Sequence, residues 1–233
     1  MSIPDDLAEQ LLNAIVDGVH PPGSTLPPEA ELAEAAGVSR LTVREAVKHL
    51  RAQNVVRVVR GRGTYVNPPD RWTALAPVVK AASRSTGAGL SEALIEARRL
   101  IENGAAELAA RRRTEDDLVE LSEHLATMRE AAEAGDTEQF VQADIDFHDV
   151  VLRASGNLFV PLLLEPFGSL LAQGRRETSA VPQIRANAID RHQTVLDALA
   201  TGDPELARRA MDAHMHQTAN DLRTHVRSKP EQP

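Results

Sequence analysis

The chain has 233 residues, 42% hydrophobic and 26% charged, enough for one large domain or two modest ones with separate cores. It has no cysteine, which excludes disulfides and thiolate metal sites, and its net charge of −8 would argue against nucleic acid if it were evenly spread. Aromatics are only 3%, no apolar run approaches the roughly 20 residues that cross a bilayer, and "MSIPDDLAEQ" has no signal-peptide character, so a helix-rich cytoplasmic protein with no membrane partner is expected.

The charge is not evenly spread. From Met1 to Ser39 there are seven acidic residues and no Lys or Arg. From Arg40 to Arg62 there are seven bases and one acid, a local net charge of +6. Phosphate binding depends on local potential rather than on the total.

In chain order, Leu7, Leu11, Leu12 and Ile15 recur at helical spacing between Asp5 and Gly18, where "HPPGS" ends the pattern. "PPEAELAEAAG" predicts a short second helix closed by Gly37, with Glu29 and Glu31 at the positive end of its dipole. Ser39 offers an N-cap for a third helix reaching about Gln53, with Val43, Ala46, Val47 and Leu50 on its apolar face. "VVRVVRGRGTYV" then predicts two short strands around a Gly-rich tip. Helix, helix, tight turn, helix and hairpin make a winged helix-turn-helix, assigned to residues 1–67. Pro-rich "NPPDRW" opens a linker over 68–89 in which "WTALAPVVKAAS" offers a short helix.

On the third helix Arg40, Arg44, Lys48 and Arg51 form a basic stripe roughly 100° from the centre of the apolar face. One side can dock while the other enters a major groove, led by Ser39, Arg40, Thr42 and Arg44 near its N-terminus. At the wing, Arg60 and Arg62 flank Gly61, which permits close approach to a duplex. A solvated charge run is the competing explanation, but turn, stripe and wing occur together. "LPPEAELAEAAGVSRLTVREAVKHLRAQNVVRVVRGRGTYV" resembles the winged helix-turn-helix of the GntR family of bacterial transcription regulators. The resemblance implies that Arg40 and Arg44 contact a double-stranded operator, with Ser39, Thr42 and Gly61 helping. Pro28 stands where the family usually has Ser, and Ala30 where many members carry a base.

Residues 90–227 read as helical throughout. Helices are expected from Ser91, from a Thr114 cap to Gly135, from an Asp136 cap to Gly156, over Leu158–Gly174 and Pro182–Ala200, and from Asp203 onward. The fold class is therefore mainly α: a winged helix-turn-helix followed by an antiparallel bundle of six or seven helices, with a disordered tail over 228–233.

Asp144 and His148, four residues apart in "ADIDFHDVV", share a helix face and suit a metal site, a catalytic pair or a solvated surface. His192 and His214 add imidazoles elsewhere, a ligand type that suits zinc, manganese, nickel or iron, but spacing alone does not join them. "EARRLIENGAAELAA", "DIDFHDVVLRASGN" and "RHQTVLDALATGDPELARRAMDAHM" resemble the ligand-sensing domain of the FadR-like GntR subfamily. That resemblance implies a divalent metal on Asp144, His148, His192 and His214, with zinc ahead of nickel, manganese or iron. It also implies an organic-acid effector met by Arg98, and a homodimer reading an inverted repeat. His216, two residues from His214, is expected to point elsewhere.

The protein is expected to be a regulator, by family habit a repressor, and not an enzyme. A metal-dependent hydrolase built on the same four residues would need a general base or nucleophile motif that the sequence does not offer. An acyl-CoA sensor, a metal-independent regulator and a constitutive dimer remain as alternatives within the family.

Overall fold

The computed structural model describes residues 2–84 and 89–226, and its contacts divide the chain into two compact units, Met1–Thr86 and Gly87–Pro233. The tail expected over 228–233 and most of the "STGAG" break lie outside the described residues.

The first unit holds α1 (Ile3–Val16), α2 (Glu29–Ala36), α3 (Arg40–Ala52), β1 (Val56–Val59), β2 (Gly63–Val66) and α4 (Leu75–Arg84). Its core forms where Leu11, Leu12 and Ile15 of α1 meet Val43, Ala46 and Leu50 of α3, all buried. Each such leucine contributes about 1.5–3 kcal/mol by leaving water. The turn between α2 and α3 needs Gly37, whose φ of 64° is left-handed, and Ser39 then caps α3 by accepting from the Thr42 backbone N–H at 3.1 Å. β1 and β2 pair antiparallel from Val56↔Val66 to Val59↔Gly63, leaving Arg60, Gly61 and Arg62 as the tip.

Two features differ from the sequence expectation. The wing has a third edge: Thr25 bridges Tyr65, Leu26 N donates to Thr64 O at 2.8 Å, and Val66 N donates to Ser24 O at 2.9 Å. "GSTL" has no strand periodicity; it is extended because β2 offers a free edge. The second is α4, which lies in the expected linker yet packs on α1. Val79 is buried, and Lys80–Glu9 and Arg84–Asp17 ion pairs close at 3.0 and 3.2 Å. Buried Asn67 joins these pieces, receiving Arg57 on Oδ1 at 2.6 Å while the Trp72 indole donates to its carbonyl at 3.0 Å.

The second unit has seven α-helices among the described residues: α5 (Gly89–Arg112), α6 (Glu115–Ala134), α7 (Thr137–Ala154), α8 (Phe159–Leu164), α9 (Gly168–Ser179), α10 (Pro182–Thr201) and α11 (Pro204–Asp221). Thr114, Asp136 and Asp203 cap α6, α7 and α11 as their positions predict. The single helix expected over Leu158–Gly174 is instead two. Pro166 sits in the 3₁₀ turn Glu165–Phe167 between α8 and α9, and α9 runs on to Ser179. Helix α5 packs on α7 and α11, α6 on α7 and α10, and α10 on α11, around Leu125, Met128, Phe147, Leu199 and Met211.

Candidate DNA-reading surface and metal centre

On α3 the apolar residues turn inward, and Arg40, Arg44, Lys48 and Arg51 are all exposed along the adjoining flank. Ser39 is exposed and Thr42 half-buried, their hydroxyls 2.9 Å apart at the helix start. Arg60, Gly61 and Arg62 are exposed at the wing tip, where Gly61 has a φ of 73°. One detail is new: Arg44 Nε donates to Glu29 at 2.7 Å. Both side chains are exposed, and such pairs contribute only about 0.2–1 kcal/mol, so a phosphate or base can displace the carboxylate at little cost.

In the second unit the structure brings the four distant residues together. His148, His192 and His214 each offer a nitrogen within 4.8 Å of the other two, and all three rings are buried. His148 Nε2 and His214 Nε2 are 3.2 Å apart. Asp144 Oδ1 lies 3.1 Å from His192 Nε2, so the carboxylate adjoins the triad. Helical geometry explains half of this, since Asp144 and His148 are one turn apart on α7. The rest is packing: α10 and α11 deliver His192 and His214, and the Phe147 ring stands edge-on to His192 with centroids 4.6 Å apart.

Nitrogen roles follow from the partners. A carbonyl only accepts, so His192 Nδ1–H donates to Ala188 O at 2.7 Å and Nε2 faces Asp144. His148 Nδ1 is 2.6 Å from Glu102 Oε2, off the line of a hydrogen bond, and its Nε2 is 3.2 Å from an Arg98 nitrogen. Among the described residues, His192 Nε2 and His214 Nδ1 have no hydrogen-bond partner. Burial, reinforced by Arg98, pulls the His148 pKa down to about 4. Burial and the neighbouring His192 and His148 carry His214 well below the usual range. His148 and His214 are therefore neutral imidazoles at neutral pH, each with a lone pair on one ring nitrogen.

Arg98 is buried, and its Nε donates to Glu102 at 2.6 Å. Two charged residues that the sequence reading passed over complete the centre. Glu102 is 1% exposed and touches both Arg98 and His148; burial opposes its charge, but those two partners hold its pKa far below the carboxylate norm. Arg175, on α9, is also buried and forms an ion pair with Asp144, whose carboxyl is likewise held low despite burial, chiefly by Arg175 and His192. Glu102 was discoverable four residues after Arg98 on one helix face. Arg175 was hidden because the helix was expected to stop at Gly174. His216 is exposed and 3.7 Å from Asp212, away from the centre.

The family profile "Bacterial regulatory proteins, gntR family" matches residues 4–66, and the FCD domain profile matches residues 93–217. The chain belongs to the GntR family, in its FCD-bearing branch. This GntR regulator is 32% identical over 213 residues to the galactonate operon transcriptional repressor of Escherichia coli, covering 88% of this chain and 90% of that one. It is 32% identical to the regulator LutR of Bacillus subtilis, covering 86% and 92%. The solved structure of E. coli McbR/YncC has the same fold, with a TM-score of 0.55, 24% identity and coverage of 96% and 98%. The galactonate repressor and LutR are transcription regulators, not enzymes, and the GntR helix-turn-helix is a DNA-binding module. No helix among the described residues is long and apolar enough to cross a membrane.

Proposed function

We propose that this GntR regulator is a metal-dependent sensor of a small organic acid. It binds an inverted-repeat operator as a homodimer and is a repressor that releases DNA when the acid arrives. The observation that carries the sensor half is the buried convergence of His148, His192 and His214 beside Asp144. Two imidazole nitrogens sharing an ion at about 2.1 Å from each sit roughly 3–3.4 Å apart, which fits the 3.2 Å between His148 and His214. Zinc is the first choice for such a donor set, with nickel, manganese and iron also suited. When bound, the ion supplies a Lewis-acidic anchor for a carboxylate.

The chain's own residues supply the rest. Glu102 holds His148 from behind and the Ala188 carbonyl holds His192, the arrangement that orients metal-ligating imidazoles. Arg98 and Arg175 are balanced by Glu102 and Asp144, so the buried side chains are neutral as a set. A divalent cation adds two positive charges, and an anionic effector offsets them where burial makes uncompensated charge costly. Arg98, with its planar fork, is the second anchor. A relative that represses a galactonate operon supports a carboxylate as the effector class.

In the DNA-binding half, Arg40 and Arg44 read base edges from the start of α3. Ser39, Thr42 and the wing residues Arg60, Gly61 and Arg62 hold the backbone. Two copies are needed to read both halves of an inverted repeat. The acid acts through its different affinity for the DNA-competent and DNA-released states.

The test is thermal melting of metal-stripped protein, repeated with zinc, nickel or manganese. An ion at a hundredfold excess over its Kd adds about 2.7 kcal/mol, a rise of roughly 5–10 °C. His192→Ala should remove that rise. A melt that no metal moves would sink the metal-sensor reading and leave the DNA-binding half standing.

A further inference from the structure

A cavity of about 400 Å³ opens beside the centre, between α7, α8 and α9, with Glu102 of α5 in its wall. Its volume is that of roughly a dozen waters and falls in the range of small-ligand sites. Most of the exposed wall is apolar, built from Ile145, Leu152, Pro161, Leu162, Leu164 and Leu171, and His148 of the centre lines it too. Arg175 lines this cavity and also a second, smaller space of about 40 Å³ shared with Arg98, Asp144 and His214. Arg175 is nine-tenths buried, its Nε lacks an aligned hydrogen bond, and among the described residues no acceptor takes its terminal nitrogens. A guanidinium has five donors in a fixed fork, so one ion pair with Asp144 leaves most of that capacity unused. Asp149 and Glu165, both exposed, also line the cavity, and neither has an ion-pair partner among the described residues. Arg153, the other base lining it, is committed to Glu120 at 2.7 Å.

We infer that this cavity receives the apolar body of a monocarboxylic acid whose carboxylate is held by Arg175. The inference rests on the sensor reading above and narrows its effector class. Leucine and isoleucine walls reward hydrocarbon at about 0.8 kcal/mol per buried CH₂, and a hydroxyl group lying against them loses its water without gaining a partner. Asp149 and Glu165, lining carboxylates with no ion-pair partner among the described residues, repel a second carboxylate, so dicarboxylates are selected against by charge. Polyhydroxy acids and dicarboxylates are therefore poor ligands, although they can satisfy a metal and an arginine equally well.

The experiment compares three acids of six carbons, hexanoate, adipate and gluconate. Binding to the full-length protein is followed by calorimetry, with and without saturating zinc. Hexanoate is expected to bind at least tenfold more tightly than either of the others. Arg175→Gln should weaken hexanoate at least tenfold at saturating zinc. Leu171→Asp, on the half-buried wall, should abolish hexanoate binding while leaving the zinc-dependent rise in melting temperature intact. Adipate or gluconate binding as well as hexanoate overturns the inference, as does hexanoate binding that Leu171→Asp leaves unchanged. If no acid binds while zinc still raises the melt, the cavity assignment fails and the metal site survives. If zinc has no effect but hexanoate binds and is lost in Leu171→Asp, the cavity stands and the metal reading falls. Should Leu171→Asp not fold, the comparison among the three acids on the native chain decides alone.

Discussion

The two units of this regulator use charge in opposite ways. In the first, Arg40, Arg44, Lys48, Arg51, Arg60 and Arg62 are exposed, and their pairings, such as Arg44–Glu29, are solvent-screened. In the second, Arg98, Glu102, Asp144 and Arg175 are nine-tenths buried or more, and each is held by another member of the group or by a histidine. Exposed charges stay available to a partner and contribute little to the fold. Buried charges are stable only as a balanced set, so removing one disturbs the others, and adding a cation creates a demand for an anion.

That contrast breaks most readily at Glu102. Glu102→Gln leaves the buried Arg98 charge without its partner and should destabilise the sensor unit by about 3–5 kcal/mol, lowering its melting temperature by on the order of 10 °C. Circular dichroism melts check this, and a shift below about 2 °C would mean that the centre is less tightly balanced than its geometry indicates. The opposite pattern is expected at Arg40. Arg40→Ala should weaken operator binding by about 1–3 kcal/mol, roughly 5- to 150-fold, yet move the melt hardly at all. Fluorescence anisotropy on an operator duplex reads the first effect and calorimetry the second; a large loss of stability would show that Arg40 belongs to the fold.

Asp212 sharpens the comparison from between the extremes. It is partly exposed, accepts from Arg99 at 2.6 Å and from Asn103 at 2.7 Å, and ties α11 to α5. Arg99 first, and then Asn103, lower its pKa in the folded state despite the opposing effect of burial. A carboxyl whose folded pKa is depressed adds stability above the unfolded value of about 3.9, and that stability is lost as pH falls through the folded value. Asp212→Asn should therefore cost about 0.5–1 kcal/mol at pH 7, and the gap from the native chain should close below about pH 4. Urea titrations at the two pH values measure it; a gap that persists in acid would assign the effect to packing rather than charge.

The winged helix-turn-helix was legible because its determinants are local. Ser39 caps α3, Gly37 turns the chain, and the i, i+3, i+4, i+7 spacing of Val43, Ala46, Val47 and Leu50 separates a docking face from a basic one. The same held for the caps at Thr114, Asp136 and Asp203, and for Asp144 and His148, whose adjacency is one helical turn. His192 and His214 entered through family likeness, since nothing in their own spacing joins them to α7.

What only the tertiary structure decided lies between elements. Packing placed α4 on α1 and extended "GSTL" along the free edge of β2. It also carried α9 past Gly174, so that Arg175 reaches Asp144 and lines an apolar cavity. The physical reason is range. Caps, turns and amphipathic faces are settled within a few residues of backbone. That Asp144 balances Arg175 depends on α7 and α9, two separate helices brought together by the core.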